Sequence, residues 1–229
     1  NQIRTMSASV GAKDIVTDGL VLHLDAANYK SYINGSTTWS DLSGNSNNGT
    51  LVNTPTYSSA NGGIFSFNGS NQYATCTGTP LNVTAYTKSV WFRLSSTSTN
   101  NNLVSCYPGH FMYFSGTSTL WAGNANHPPY SNDPDAFGSA ASFDLSTWYC
   151  ATVVFTSPQI YIYINGQQNA VDINYGGSHS GDGSTNLACF DPGTNLLTGK
   201  IAEVYCYGRA LSAAEVLQNY NATKSKYGL

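Results

Sequence analysis

Between Gln159 and Val171 the sequence QIYIYINGQQNAV leaves the backbone few choices. Ile160, Ile162 and Ile164 alternate with Tyr161 and Tyr163, and a strand, whose successive side chains point to opposite faces, sorts them into one aliphatic and one aromatic face. Asn165-Gly166 follows, a pair that tolerates the two positive φ angles of a type I′ turn, and Gln167 begins the return strand. The chain therefore contains an antiparallel hairpin whose Ile face turns toward a core. The Tyr face fits two readings, a plain cover for the sheet or a platform on which a sugar ring stacks, so Tyr161 and Tyr163 are candidate ligand-binding residues.

The same strand-and-turn grammar runs through the chain from Gly19 onward. Short runs of strand character are GLVLHLD (19–25), IFSF (64–67), YATC (73–76), SVWFRL (89–94), HFMYF (110–114), WYCATVVF (148–155), NLACF (186–190) and IAEVYCYG (201–208). Turn clusters such as DLSGNSNNGT (41–50), NGG (61–63), NGSN (68–71) and DPG (191–193) separate them. Composition agrees: Asn, Ser and Thr make up 75 of the 229 residues, whereas there are only two glutamates, Glu203 and Glu215, and three arginines. Surface helices draw on Glu, Lys, Arg and Gln, so the pattern predicts an all-β, two-sheet antiparallel sandwich or barrel wetted by hydroxyls and amides. A net charge of −3 with nine scattered Lys and Arg does not neutralise a phosphate backbone, which argues against nucleic acid as a partner. No apolar run reaches the roughly 18–20 residues of a membrane span.

One segment departs from this grammar. Ser212-Ala213-Ala214-Glu215 has the form of a capping box, and Val216, Leu217 and Tyr220 then make an apolar stripe, so one short C-terminal helix is expected, plugging an end or edge of the sandwich. Residues 1–18 are expected to be an N-terminal arm or linker that docks on a neighbouring subunit, with residues 19–229 forming one domain. The five cysteines (Cys76, Cys106, Cys150, Cys189 and Cys206) form no CxxC or CxxH pattern and sit mostly in apolar runs, which predicts reduced, buried thiols rather than a zinc site.

Catalytic chemistry is hard to place. A glycosidase needs two carboxyl groups flanking the scissile bond. The chain has no Glu-x-Asp-x-x-Glu run, and none of its aspartates is paired at strand period in an apolar run. GTNLLTGKI (193–201) has the wrong glycine spacing for a phosphate loop, and Ser178-His179-Ser180 lies in a Gly-rich loop without a strand–turn–helix elbow. His23, His110, His127 and His179 are too far apart in sequence to mark a local metal site. The loops SNDPDAFG (131–138) and HSGDGSTN (179–186) are rich in oxygen donors, which makes Asp133, Asp135 and Asp182 candidate calcium ligands, although the same residues equally make solvated turns. Trp121, His127 and Tyr130, in and beside the long loop 123–147, join the two tyrosines as candidate sugar contacts.

The order of elements resembles a known family. GLVLHLDAANYKSY, TTWSDLSGNSNNGTL and YSSANGGIFSFNGSNQYA are similar to the opening of laminin-G-like, concanavalin A-like jelly-roll domains. SVWFRL resembles their central strand, IYIYINGQ their hairpin, and GKIAEVYCYGRALSAAEVLQNY their closing strand and helix. The resemblance implies a two-sheet jelly-roll sandwich that binds carbohydrate or protein partners and does not catalyse. The variant with LDAANYKSY resembles copies in structural proteins of tailed bacteriophages, which implies a virion surface protein (capsid decoration, head fibre or tail adhesin), homo-oligomeric, in contact with other virion proteins and with host-surface carbohydrate. The alternative expectation is a secreted or cell-surface lectin-like adhesion module.

Overall fold

The computed structural model describes residues 14–78, 81, 84–97, 100–105, 109–116, 118–124, 137–173, 175 and 184–229. In chain order the strands begin with β1 (Leu20–Asp25), β2 (Thr38–Trp39), β3 (Gly49–Val52), β4 (Thr56–Ser58), β5 (Ile64–Asn68) and β6 (Tyr73–Thr77). The middle of the chain supplies β7 (Ala85–Leu94), β8 (Asn100–Asn102), β9 (Val104–Ser105), β10 (His110–Ser115), β11 (Leu120–Asn124) and β12 (Phe137–Gly138). The last are β13 (Tyr149–Thr156), β14 (Gln159–Ile164), β15 (Gln167–Asp172), β16 (Ser184–Leu187) and β17 (Thr198–Tyr207), followed by helix α1 (Ala213–Thr223) and a 3-10 turn at Lys224–Tyr227.

One large antiparallel sheet runs β15-β14-β13-β7-β17-β5-β4, with β1 paired to the second half of β17. Two smaller sheets, β2-β3-β6-β16-β9 and β12-β11-β10-β8, supply the opposing layer. Side chains alternate as the sequence requires. Leu22, Leu24, Val90, Phe92, Val153, Phe155, Ile160, Ile162 and Val204 of the large sheet share one buried cluster with Leu51, Ala74, Met112, Phe114, Leu120 and Leu187 of the smaller ones. At about 25 cal/mol per Å² of apolar surface, this interlayer burial is the main term holding the sandwich together. The fold is thus an all-β jelly-roll sandwich with one short helix, as the sequence predicts.

The hairpin forms at Asn165-Gly166, with φ of 51° and 75°, and Asn165 ties it to β13 by accepting the Cys150 N–H on its side-chain oxygen at 2.9 Å. The capping box is complete: Ser212 Oγ accepts from the Glu215 N–H and the Glu215 carboxylate accepts from the Ser212 N–H at 2.8 Å. Two expectations need correction. NLACF is only half strand, because Ala188 takes a left-handed φ of 63° and turns the chain, its N–H going to the Leu103 carbonyl. The helix reaches the β14–β15 turn at the edge of the large sheet but is not confined to it. It lies on the outer face of the large sheet, where Val216 joins Trp91, Trp148, Val154, Tyr163, Tyr205 and Tyr207 in a second buried cluster. Trp91 explains this docking: its ring stacks on Tyr227 with centroids 4.1 Å apart, and its indole N–H donates to Thr223 Oγ1 at 2.9 Å.

Residues 1–13 lie outside the described residues, and residues 14–18 run along α1 of the same chain. The Val16 N–H donates to Asn219 Oδ1 at 2.8 Å, and the Val16 carbonyl accepts from the Tyr207 hydroxyl at 2.9 Å. The Asp14 carbonyl accepts from Gln218 Nε2. Cys76, Cys150, Cys189 and Cys206 are buried, and burial pushes the Cys150 and Cys189 thiols up to about 12.

Candidate functional site

Two places gather side chains with chemistry to offer. The first is on the outer face of the large sheet. β1 carries an irregularity between Leu20 and Leu22, after which His23 and Asp25 stand opposite Tyr205 and Glu203 of β17. The loop after β2 holds this register. Asp41 Oδ1 accepts the His23 N–H at 2.9 Å, its Oδ2 accepts from Ser43 Oγ at 2.7 Å, and Asn47 Nδ2 donates to the Val21 carbonyl at 2.7 Å. This is the use of a polar Asn/Ser/Gly loop: short side chains replace the ladder partners that a bulged strand lacks.

His23 Nε2 lies 3.2 Å from Glu203 Oε1. Lys226, from the 3-10 turn, places Nζ 2.9 Å from Asp25 Oδ2 and 3.2 Å from Glu203 Oε2. The Tyr227 hydroxyl donates to Glu203 Oε2 at 3.4 Å, and Asp25 Oδ1 accepts the Ala27 N–H at 2.9 Å. Both carboxylates are buried, Asp25 at 6% and Glu203 at 1% exposure, at the bottom of an open groove of about 340 Å³ flanked by Ile15, Leu42 and Ala222. Burial alone would raise the Glu203 pKa, but the His23 hydrogen bond and the Lys226 charge outweigh it and hold it below the ordinary carboxylate value. Lys226 moves the other way, burial being outweighed by the two carboxylates, so the ammonium is secured. Among the described residues, His23, Asp25 and Glu203 also form a group whose ligand atoms all lie within 4.8 Å of one another. Sequence distance concealed it. The signal was the alternation of GLVLHLD, which puts His23 and Asp25 on one face of a strand.

The second place is the outer face of the β12-β11-β10-β8 sheet. Met112 and Phe114 point into the core, so Phe111 and Tyr113 point away from it, both half-buried. Tyr113 pairs directly with Trp121 of β11, also half-buried, and the Phe111 and Tyr113 rings meet edge-on at 5.5 Å. Three aromatic rings therefore share one sheet face. Trp121 belongs here and is on a different sheet from Tyr161 and Tyr163. These two sit on the large sheet with ring centroids 6.4 Å apart, and Tyr163, at 5% exposure, is packed into the cluster under α1. His127, Tyr130, Asp133, Asp135 and Asp182 lie outside the described residues. Between the layers, Lys88 is fully buried, its Nζ donating to the Val104 carbonyl at 3.1 Å and lying 2.9 Å from His110 Nδ1.

The two curved layers, the hairpin and the closing strand with its docked helix define a lectin-type jelly-roll sandwich. The chain belongs to the concanavalin A-like lectin/glucanases superfamily, whose laminin-G-type family model matches residues 68–217. No curated protein matches the sequence. Solved structures with the same fold include the botulinum neurotoxin type G receptor-binding domain, 15% identical with a TM-score of 0.67, covering 88% of this chain and 51% of that one. The serotype D ligand-binding domain in complex with N-acetylneuraminic acid is 14% identical with a TM-score of 0.67 over 90% of this chain and 51% of its own. The binding domain of botulinum neurotoxin DC in complex with rat synaptotagmin II is 12% identical with a TM-score of 0.66, over 91% and 52%. The chain thus spans about half the length of these structures, 51–52%.

Proposed function

We propose that this chain is a non-catalytic carbohydrate-binding module displayed on the surface of a virion, where it contacts host glycans. Membership of the superfamily over residues 68–217 carries the reading. A structural neighbour in complex with N-acetylneuraminic acid lends it support. The aromatic face of Phe111, Tyr113 and Trp121 supplies one thing sugar recognition asks of a protein, flat apolar rings gathered on one surface. The non-catalytic reading rests on the sequence, which has no Glu-x-Asp-x-x-Glu run to flank a scissile glycosidic bond. Placement on a virion rests on the phage-like LDAANYKSY and TTWSDLSGNSNNGTL runs.

Two experiments test the parts separately. On a glycan array the wild-type chain is expected to retain a defined glycan class, and Trp121→Ala to lose it with an unchanged circular dichroism spectrum. Retention undiminished in that variant moves the site elsewhere. Mass spectrometry of purified particles against culture supernatant is expected to recover the chain with the particles. Recovery in the supernatant alone makes it a secreted adhesion module instead.

A further inference from the structure

We infer that the groove formed by His23, Asp25 and Glu203 is a divalent-metal site of the zinc class, in which the metal exchanges with the Lys226 ammonium. The donor set is one imidazole nitrogen and two carboxylates, with all ligand atoms within 4.8 Å of one another. In a tetrahedral zinc site, with bonds of about 2.0–2.2 Å, neighbouring ligand atoms stand about 3.3–3.5 Å apart. His23 Nε2 and Glu203 Oε1 stand close to that spacing at 3.2 Å, and the Asp25 carboxylate, within 4.8 Å of both, completes the set once Lys226 withdraws. An imidazole ligand favours zinc, cobalt or nickel over calcium and magnesium, which take oxygen.

Charge argues for the same occupant. Two buried carboxylates face the single Lys226 ammonium, with the His23 imidazole beside them, and a divalent ion in place of the ammonium would face both carboxylates at once. The ligands are braced from behind, as metal ligands are: Asp41 fixes the His23 backbone, the Ala27 N–H holds Asp25 Oδ1, and the Tyr227 hydroxyl holds Glu203 Oε2. Lys226 is the movable part. It is one-third exposed, stands on a short 3-10 turn, and borders an open groove into which its side chain can swing. The groove also admits a water as fourth ligand.

The test is calorimetric titration of the full chain with zinc chloride in a non-coordinating buffer, with the melting temperature followed in parallel. Wild type is expected to bind one zinc per chain and to melt higher. His23→Gln is expected to weaken binding by roughly tenfold or more, and Lys226→Met, which removes the competitor, to tighten it. Calcium is expected to give no shift. Cobalt, added to the wild-type chain alone, is expected to give visible absorption of nitrogen and oxygen ligation without a thiolate band. No stoichiometric zinc binding in wild type overturns the inference, as does zinc binding that survives His23→Gln, a calcium shift as large as the zinc shift, or a thiolate band with cobalt.

Discussion

Glu215 serves the fold through both of its carboxylate oxygens. Oε2 accepts from Ser212, and the Arg209 guanidinium bonds both oxygens, at 2.6 Å to Oε1 and 3.2 Å to Oε2. The Arg209 hydrogen bond holds its pKa down to about 2 from the ordinary 4.5. A carboxyl with a depressed folded-state pKa contributes stability that is complete above the unfolded value and is lost as pH falls through the folded one. Glu203 is displaced in the same direction. The urea midpoint of the chain should therefore fall between about pH 5 and about pH 2, and Glu215→Gln should flatten part of that slope. The variant's cost should be largest near neutral pH, where the pair is ionised, and shrink toward about pH 2, and the partial exposure of the pair keeps it modest. An unaltered acid slope in the variant contradicts the assignment. The thiols give a second test at this scale. With Cys76, Cys150, Cys189 and Cys206 buried and burial disfavouring the thiolate, iodoacetamide at about pH 8 should leave these four unmodified until the chain unfolds, as read by peptide mass spectrometry. Rapid labelling of any of them in the native protein refutes their placement.

The β14–β15 hairpin and α1 depend on each other. A Cβ on Gly166, where φ is 75°, would stand 3.0 Å from Tyr220 Cβ and 3.1 Å from Leu217 Cδ1. Gly166→Val thus combines a left-handed backbone penalty with crowding against the helix, and the two together should destabilise the fold by about 2–4 kcal/mol in urea unfolding. A loss below about 0.5 kcal/mol contradicts both the turn and the docking. Hairpin and capping box were legible in the sequence because their determinants lie within a few residues of one another. The side of the sandwich on which the helix docks was not, since it is decided by Trp91, Tyr205 and Tyr207 on distant strands. The groove escaped for the same reason, with His23 and Glu203 lying 180 residues apart. Lys88 left a clearer trace. The inward period of β7, traced back from Leu94 through Phe92 and Val90, lands on it, but a lysine invites assignment to the surface.

At the scale of the whole molecule, the outer faces of the two layers differ in how they are covered. The outer face of the large sheet is largely covered by α1 and the residues before β1, and packing in the cluster under α1 accounts for the burial of Tyr163. The outer face of the smaller sheet keeps Trp121 and Tyr113 side by side and half-buried, and it is the face on which we propose recognition. No helix among the described residues is long and apolar enough to cross a membrane. The central claim is that this face holds a glycan without altering it. The most direct test is a binding isotherm for the purified chain against its best glycan from the array, with the glycan recovered and weighed by mass spectrometry. The account predicts saturable binding and recovery of the glycan whole. A failure to saturate with any glycan, or shortened products carrying new reducing ends, contradicts it.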